Sequence, residues 1–286
     1  MSSTATQPIV APSSAATGTV TVQIELAATA DQVWRALTEP ALAAQWFGAL
    51  SAELRPGAAA RLDFGDGDFF DLQTQQRQPP ELLQYSWRFL GIGPLDTITW
   101  RIQPAAGGCQ VTLSDEERYR SAEQARQLRR GWLDFTSRLR RFLVTGASAR
   151  YSWRRAFDAS IELACPPDRA WSALWEDPSR WLPLSGPHRE TGARLRVADG
   201  RTPAEVTIAA PRWSPHAVEF ELVHLDWLQP SRCRNELLPY GPGALLCVSH
   251  AGWPGLRREQ GEQLRQRRRF SAVWIAALQR AQRLTS

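Results

Sequence analysis

The chain has no lysine: all 34 of its basic residues are arginine, a usage that reads as codon bias. Four cysteines and four histidines occur in 286 residues. Cys109, Cys165, Cys233 and Cys247 show no Cys-x-x-Cys spacing and have no histidine at zinc-finger distance. Free thiols in a reducing compartment are therefore expected, and a structural metal is not. No run of about 18 apolar residues exists, so no membrane-spanning helix is expected. Residues 1–19 lack the basic start and apolar run of a signal peptide. They are rich in alanine, serine and threonine and read as a disordered tail. Cytoplasm is the expected location. A Ser-His-Asp order, a nucleotide loop and a His-Glu-x-x-His motif are all missing, which removes the commonest hydrolase, nucleotide and zinc-protease readings. The net charge of +5 is too small for this length to mark a nucleic-acid partner. No cofactor is implied.

What is abundant is tryptophan, with 13 residues. Indole rings bring large apolar area and one donor each, which suits cores and aromatic-lined pockets alike. The second abundant feature is repetition. Ile24-Glu-Leu-Ala with Trp34 and Ala36-Leu37 recurs as Ile161-Glu-Leu-Ala with Trp171 and Ala173-Leu174, at an offset of 137 residues. That period is too long for a solenoid unit and reads as two copies of a whole domain. The implied boundaries are a tail over 1–19, a first domain over 20–146, a linker over 147–156 and a second domain over 157–286.

Val20, Val22, Ile24 and Leu26 alternate as a half-buried strand. Thr29 offers an N-cap for a helix that Pro40 ends, and Ala41 to Phe47 reads as a second short helix. Five or six strands come next, among them Ala60–Phe64, Phe69–Gln75, Leu83–Phe89, Ile98–Ile102 and Cys109–Ser114, with Asp66-Gly67 as a hairpin signal. Leu128, Trp132, Phe135, Leu139 and Phe142 then form one helical stripe, and the arginines between them face water. In the second copy Asp199-Gly200 echoes the hairpin. Candidate strands are Ala204–Ile208, Val218–His224, Cys233–Leu238 and Ala244–His250. A closing helix carries Phe270, Val273, Trp274, Ala277, Leu278 and Ala281 on one face, with Arg265 and Arg267–Arg269 read as a solvated patch. Asp63, Asp66, Asp68 and Asp71 read as turn and solvent residues.

The expected class is α+β. Val33-Trp34-Arg-Ala-Leu-Thr-Glu-Pro40, Gln45-Trp46-Phe47-Gly48, Arg55-Pro-Gly57, Pro80-Glu-Leu-Leu-Gln-Tyr-Ser-Trp87 and the closing Gly131-Trp132…Leu143-Val-Thr-Gly146 resemble the START-like, or SRPBCC, superfamily, and within it the AHSA1-like branch. The resemblance spans nearly all of residues 20–146. It implies two tandem helix-grip (START/Bet v 1-like) domains, each a curved antiparallel sheet gripping a long C-terminal helix with two short helices. His250-Ala-Gly-Trp253 resembles a piece found after the last strand of that branch; the first copy has Asp115-Glu-Glu-Arg118 there.

A helix gripping a curved sheet leaves room for a small ligand. Strand alternation aims Phe64, Tyr85, Trp87, Trp100, Trp132 and Phe135 into the first interior, with Trp46 and Phe47 near its mouth. In the second copy it aims Phe220, Asn235 and Trp274 inward, and brings His224 and His250 toward one cavity as candidate proton-transfer groups. Trp34 and Trp171 read as core anchors. The leading expectation is a binder of a hydrophobic, aromatic or polycyclic small molecule. Next stands a cyclase or aromatase-type enzyme acting on a polyketide-like intermediate, because tandem helix-grip domains occur in that class. A protein-interaction or chaperone-linked module ranks third. Intramolecular pairing of the domains is expected, and oligomerisation is left open.

Overall fold

The computed structural model describes residues 18–186, 189–197 and 204–286. The expected tail, apart from its last two residues, and the Asp199-Gly200 turn lie outside them. The chain divides into two compact units. The first runs to Phe64 and includes Phe69–Arg88 and Leu95–Ser152. The second takes Gly65–Asp68, Phe89–Pro94 and Trp153–Ser286.

The first unit opens with β1 (Thr19–Leu26), α1 (Ala30–Thr38) and α2 (Pro40–Trp46). It continues through β2 (Ala49–Leu50), β3 (Ala59–Asp63), β4 (Phe69–Gln78), β5 (Leu82–Phe89), β6 (Leu95–Ala105) and β7 (Gly108–Glu116) to α3 (Ala122–Thr145). The strands form one antiparallel sheet in the order β1-β7-β6-β5-β4-β3-β2. Local chemistry sets the helix ends. Thr29 and Gln32 make a reciprocal capping box for α1, and Ser121 and Gln124 make one for α3. Gly146, at φ 66°, ends α3 in the left-handed conformation that glycine adopts without penalty. The stripe read from the sequence is the packed face: Trp132, Phe135, Leu139 and Phe142 are buried. Several arginines of α3 bind backbone of their own unit, Arg129 at Thr21 O, Arg138 at Ala149 O and Arg140 at Glu25 O. Residues after α3 pack here too, where Ala149 N–H donates to Gln45 O at 2.7 Å.

The second unit repeats the plan with β8 (Ala156–Leu163), α4 (Pro167–Trp175), a 3-10 turn (Pro178–Arg180), β9 (Leu184–Ser185), β10 (Arg194–Val197), β11 (Ala204–Ser214), β12 (Ala217–Val223), β13 (Ser231–Tyr240) and β14 (Gly243–Ala251). α5 (Trp253–Leu256) and α6 (Gln260–Thr285) close it. Strand order matches the first sheet: β8-β14-β13-β12-β11-β10-β9. Three details depart from the sequence reading. The second short helix shrinks to the 3-10 turn, because Pro178 and then Pro183 leave no room for a longer one. α5 appears between the last strand and the closing helix, where the sequence reading placed no element. And Arg267, read as solvated, is wholly buried: its guanidinium binds Asp68 at 2.7 Å and the carbonyls of Asp66 and Ala156, so Asp66 and Asp68 are not solvent residues either.

β11 carries an irregularity that decides which side chains reach the inner face. Ile208 pairs with Leu222, but beyond Ala209 the register slips by one residue, so that Trp213 pairs with Val218. Ala210 takes φ 46°, and Pro211 comes directly after it. A bulge of one residue reverses which face every later side chain occupies. It turns Trp213 to the inner face and Arg212 outward, where an unbroken strand would do the reverse.

Candidate functional site

The eight aromatics expected to line the first interior are brought together, but as packing. Trp46 stacks on Phe47 with centroids 4.8 Å apart, Trp87 stacks on Trp132 at 5.3 Å, and Phe47 meets Phe135 edge-on at 4.8 Å. Trp46 is no gate: it is fully buried and donates its indole proton to Ala36 O at 2.9 Å. Trp100 donates to Tyr85 Oη at 3.1 Å, and Phe64 lies edge-on to Phe47. The void that Phe47, Tyr85 and Trp100 border measures about 10 Å³, room for about one water and for no larger guest. These rings fill the interior that they were expected to line.

Beside this core stands a charged cluster. Arg120 Nη2 reaches Asp96 at 2.9 Å and Asp115 at 2.6 Å, Trp132 donates to Asp115 at 2.7 Å, and Trp87 donates to Asp96 at 3.2 Å. Burial, and then the negative charge of Asp115, push Asp96 up to about 7. Burial also raises Asp115, in spite of Arg120 and the indole donor. One guanidinium shared by two desolvated carboxylates does not fully compensate either of them.

The two sheets share strand order, so residues can be matched by register. Ile98 pairs with Asp115 in the first unit, and Cys233 pairs with His250 in the second. Asp115 and His250 are thus counterparts. So are their helix donors, because Trp274 Nε1 donates to His250 Nδ1 at 3.0 Å as Trp132 does to Asp115. His250 Nε2 lies 2.8 Å from Ser231 Oγ. An indole N–H only donates, so Nδ1 must accept, and in the neutral ring Nε2 carries the proton and gives it to Ser231. Burial and the nearby Arg267 charge hold His250 well below its ordinary pKa, which keeps it neutral. This is a Ser-His pair with the proton on the wrong nitrogen for a base.

His224 and His250 do not meet in one cavity as the alternation suggested. β12 ends at Val223, so His224 falls past the strand, partly exposed, with Nδ1 accepting from Asp226 N–H at 3.1 Å and its ring beside Trp227. His250 sits fully buried among Trp253, Phe270 and Trp274. Trp274 is likewise fully buried, and Phe220 is buried at the back of a depression of about 420 Å³. That depression has charged walls, and two ion pairs join them, Arg234 with Glu219 and Arg232 with Glu221.

Asn235, the chain's only asparagine, differs from all these. It is 0% exposed on the inner face of β13, and neither its amide nitrogen nor its amide oxygen has a hydrogen-bond partner. Its register counterpart is Trp100, since Trp100 pairs with Leu113 as Asn235 pairs with Val248. The counterpart of Tyr85 is Phe220. The indole–phenol pair that satisfies itself in the first unit is therefore an amide facing a ring without a hydroxyl in the second.

On the same inner face, one edge of the second sheet holds a recess of about 530 Å³ lined by Trp171, Trp175, Arg189, Trp213, Ser214 and Pro215. Trp171 and Trp175 lie one helical turn apart on α4, so they share a face. Trp213 meets both edge-on, at 6.2 and 5.2 Å. Arg189 stands over the Trp213 ring at 5.9 Å, and His216, 2.7 Å from Asp168, flanks Trp171. Trp171 is thus a recess wall and not the core anchor that Trp34 is. Sequence reasoning missed Trp175, Trp213 and Arg189 as site residues. The Trp-x-x-x-Trp spacing was a usable signal for the first; the bulge hid the second. Among the described residues no group of three or more His, Cys, Asp or Glu side chains is placed to hold a metal ion, and no helix is long and apolar enough to cross a membrane.

Known proteins share this architecture. The family described as Activator of Hsp90 ATPase homolog 1-like protein matches residues 27–143. Among solved structures, DynU16, described as a protein in the dynemicin biosynthetic locus, is 35% identical, with a TM-score of 0.86 over 94% of this chain and 99% of that chain. MLL2253 from Mesorhizobium loti is 22% identical, with a TM-score of 0.40 over 44% of this chain and 96% of its own. The Aha1 dimer from Colwellia psychrerythraea is 16% identical, with a TM-score of 0.40 over 45% and 97%. No curated protein matches the chain. With a register-matched pair of helix-grip sheets, and about a third of its residues shared with a relative along nearly the whole of both chains, the protein belongs to the AHSA1-like family of the SRPBCC superfamily.

Proposed function

We propose that the protein binds a hydrophobic small molecule, aromatic or polycyclic, and that the second unit holds it at the tryptophan recess. The observation that carries this reading is the recess itself: three indoles from α4 and β11 around about 530 Å³, with Trp213 still 37% exposed. Large exposed rings beside buried ones are what a planar guest would cover. Covering some 200 Å² of apolar surface is worth roughly 5 kcal/mol before ordering costs, which corresponds to sub-millimolar binding once other contacts offset those costs. Arg189 at the rim suits a guest with electron-rich rings or an acidic substituent. The relation to DynU16, a protein of a biosynthetic locus, supports a role in handling a small natural product.

The test is a titration with planar lipophiles, read by tryptophan emission and calorimetry. Saturable quenching that Trp213→Ala and Trp171→Ala each weaken at least about ten-fold (~1.4 kcal/mol) supports the reading. Unchanged affinity in both variants sinks it. A cyclase-type enzyme remains the second reading, and the same relative's locus favours it. The imidazoles named for that chemistry lend it no support, since His250 is neutral with its Nε2 proton committed to Ser231.

A further inference from the structure

We infer that Asn235 reads the polar edge of the ligand, pairing its carboxamide with a neighbouring carbonyl acceptor and N–H or O–H donor carried on a fused aromatic frame. This rests on the recess being the binding site. Asn235 is wholly buried, and both polar atoms of its side chain lack partners. Such a residue bears the desolvation penalty of each unsatisfied group, so a protein that keeps one needs a reason to. The counterpart position shows how the same fold avoids the cost, with Trp100 bonded to Tyr85 in the first unit. In the second unit the phenol is Phe220, and the partner hydroxyl is gone.

Position connects the amide to the recess. Trp213 pairs with Val218, and Val218 pairs with Asn235, all on one face. At about 4.8 Å per strand the amide lies some 10 Å along the sheet from the recess wall, about the length of two fused rings with a substituent at one end. α4 packs on β13 and β14 and also carries Trp171 and Trp175. One short helix therefore walls the recess and packs on the strand that carries the amide, and an outward shift of α4 would join the two. A ligand lying on Trp213 then points its far edge at Asn235. A carboxamide offers one donor and one acceptor side by side, and it is matched by an edge offering the same pair in reverse.

The experiment compares 2-naphthamide, which carries that edge, with 2-ethylnaphthalene, which has the ring and similar bulk without it. Affinities are measured by tryptophan quenching on the full chain, and thermal midpoints are recorded without ligand. The wild type is expected to prefer the amide about ten-fold, the worth of one to two hydrogen bonds. Asn235→Leu is expected to lose that preference while binding the hydrocarbon at least as well, and to melt higher, because an unsatisfied group has been removed. A lower midpoint overturns the inference, since it means the amide is satisfied within the folded chain. So does a preference that survives the substitution. A wild type that binds both probes equally overturns the inference and leaves the recess reading standing; a wild type that binds neither overturns both. Should Asn235→Leu fail to fold, Asn235→Ala carries the preference arm alone.

Discussion

Trp274 has one hydrogen-bonding atom, and it points at His250 Nδ1 from 3.0 Å. Replacing it with phenylalanine keeps most of the packing and strands a buried acceptor. Trp274→Phe is expected to lower stability by about 1–3 kcal/mol, read as a shift in the urea midpoint at constant slope. Asp96 supplies a pH signature of its own. Its folded pKa is raised from 3.8 to about 7, so between those values the folded chain holds a proton that the unfolded chain has released. Stability from this group is therefore greatest below about pH 4 and falls as pH rises to about 7. Asp96→Asn keeps an acceptor for Trp87 and removes the titration. The difference in urea midpoint between wild type and variant is expected to change steadily from about pH 4.5 to about 7.5, and a flat difference contradicts the assigned shift.

At the scale of the element, the bulge in β11 is the decisive device. Deleting Ala210 removes the extra residue, so Pro211 falls opposite Phe220 while Arg212 still pairs with Glu219 and Trp213 with Val218. The deletion is therefore expected to keep tryptophan emission and lipophile binding close to wild type, whereas one alanine inserted between Arg212 and Trp213 turns the indole to solvent and is expected to red-shift emission and abolish binding; unchanged binding in the insertion variant would contradict the face assigned to Trp213. The first unit offers a milder case in α3. Ser121→Ala removes half of the capping box and is expected to cost about 1 kcal/mol, with no effect on ligand affinity. Much at this scale was legible from the residues. The α3 stripe, the Thr29 cap and the alternation in β1 come from local periodicity, which each element carries by itself. The α5 turn and the burial of Arg267 were not legible, because both depend on groups distant in the chain.

For the whole molecule, the two units share a topology and differ in what they do with it. The first spends its aromatics on a closed interior, with about 10 Å³ left where Phe47, Tyr85 and Trp100 meet. The second presents tryptophans at an open recess. The expected stoichiometry is therefore one lipophile per chain, not two, measurable by native mass spectrometry with saturating probe; two equivalent sites would contradict the division of roles. In the sequence, Trp46-Phe47-Gly48 of the first copy gives way to Trp181-Leu182-Pro183 in the second, a hint of such a division. The sequence could not say which copy keeps an open space, because alternation tells which side chains face inward and not whether they leave room between them.

By itself the sequence determined the duplication, the strand and helix periods, and the family to which both copies belong. These come from local spacing and repetition, which the chain states directly. Only the tertiary structure decided that the inward aromatics of the first unit touch one another, that His250 holds its proton on Nε2, that a one-residue bulge turns Trp213 inward, and that Asn235 is left without a partner. Each of these depends on which groups meet across strands far apart in sequence, and on whether a side chain's partner is present when it arrives.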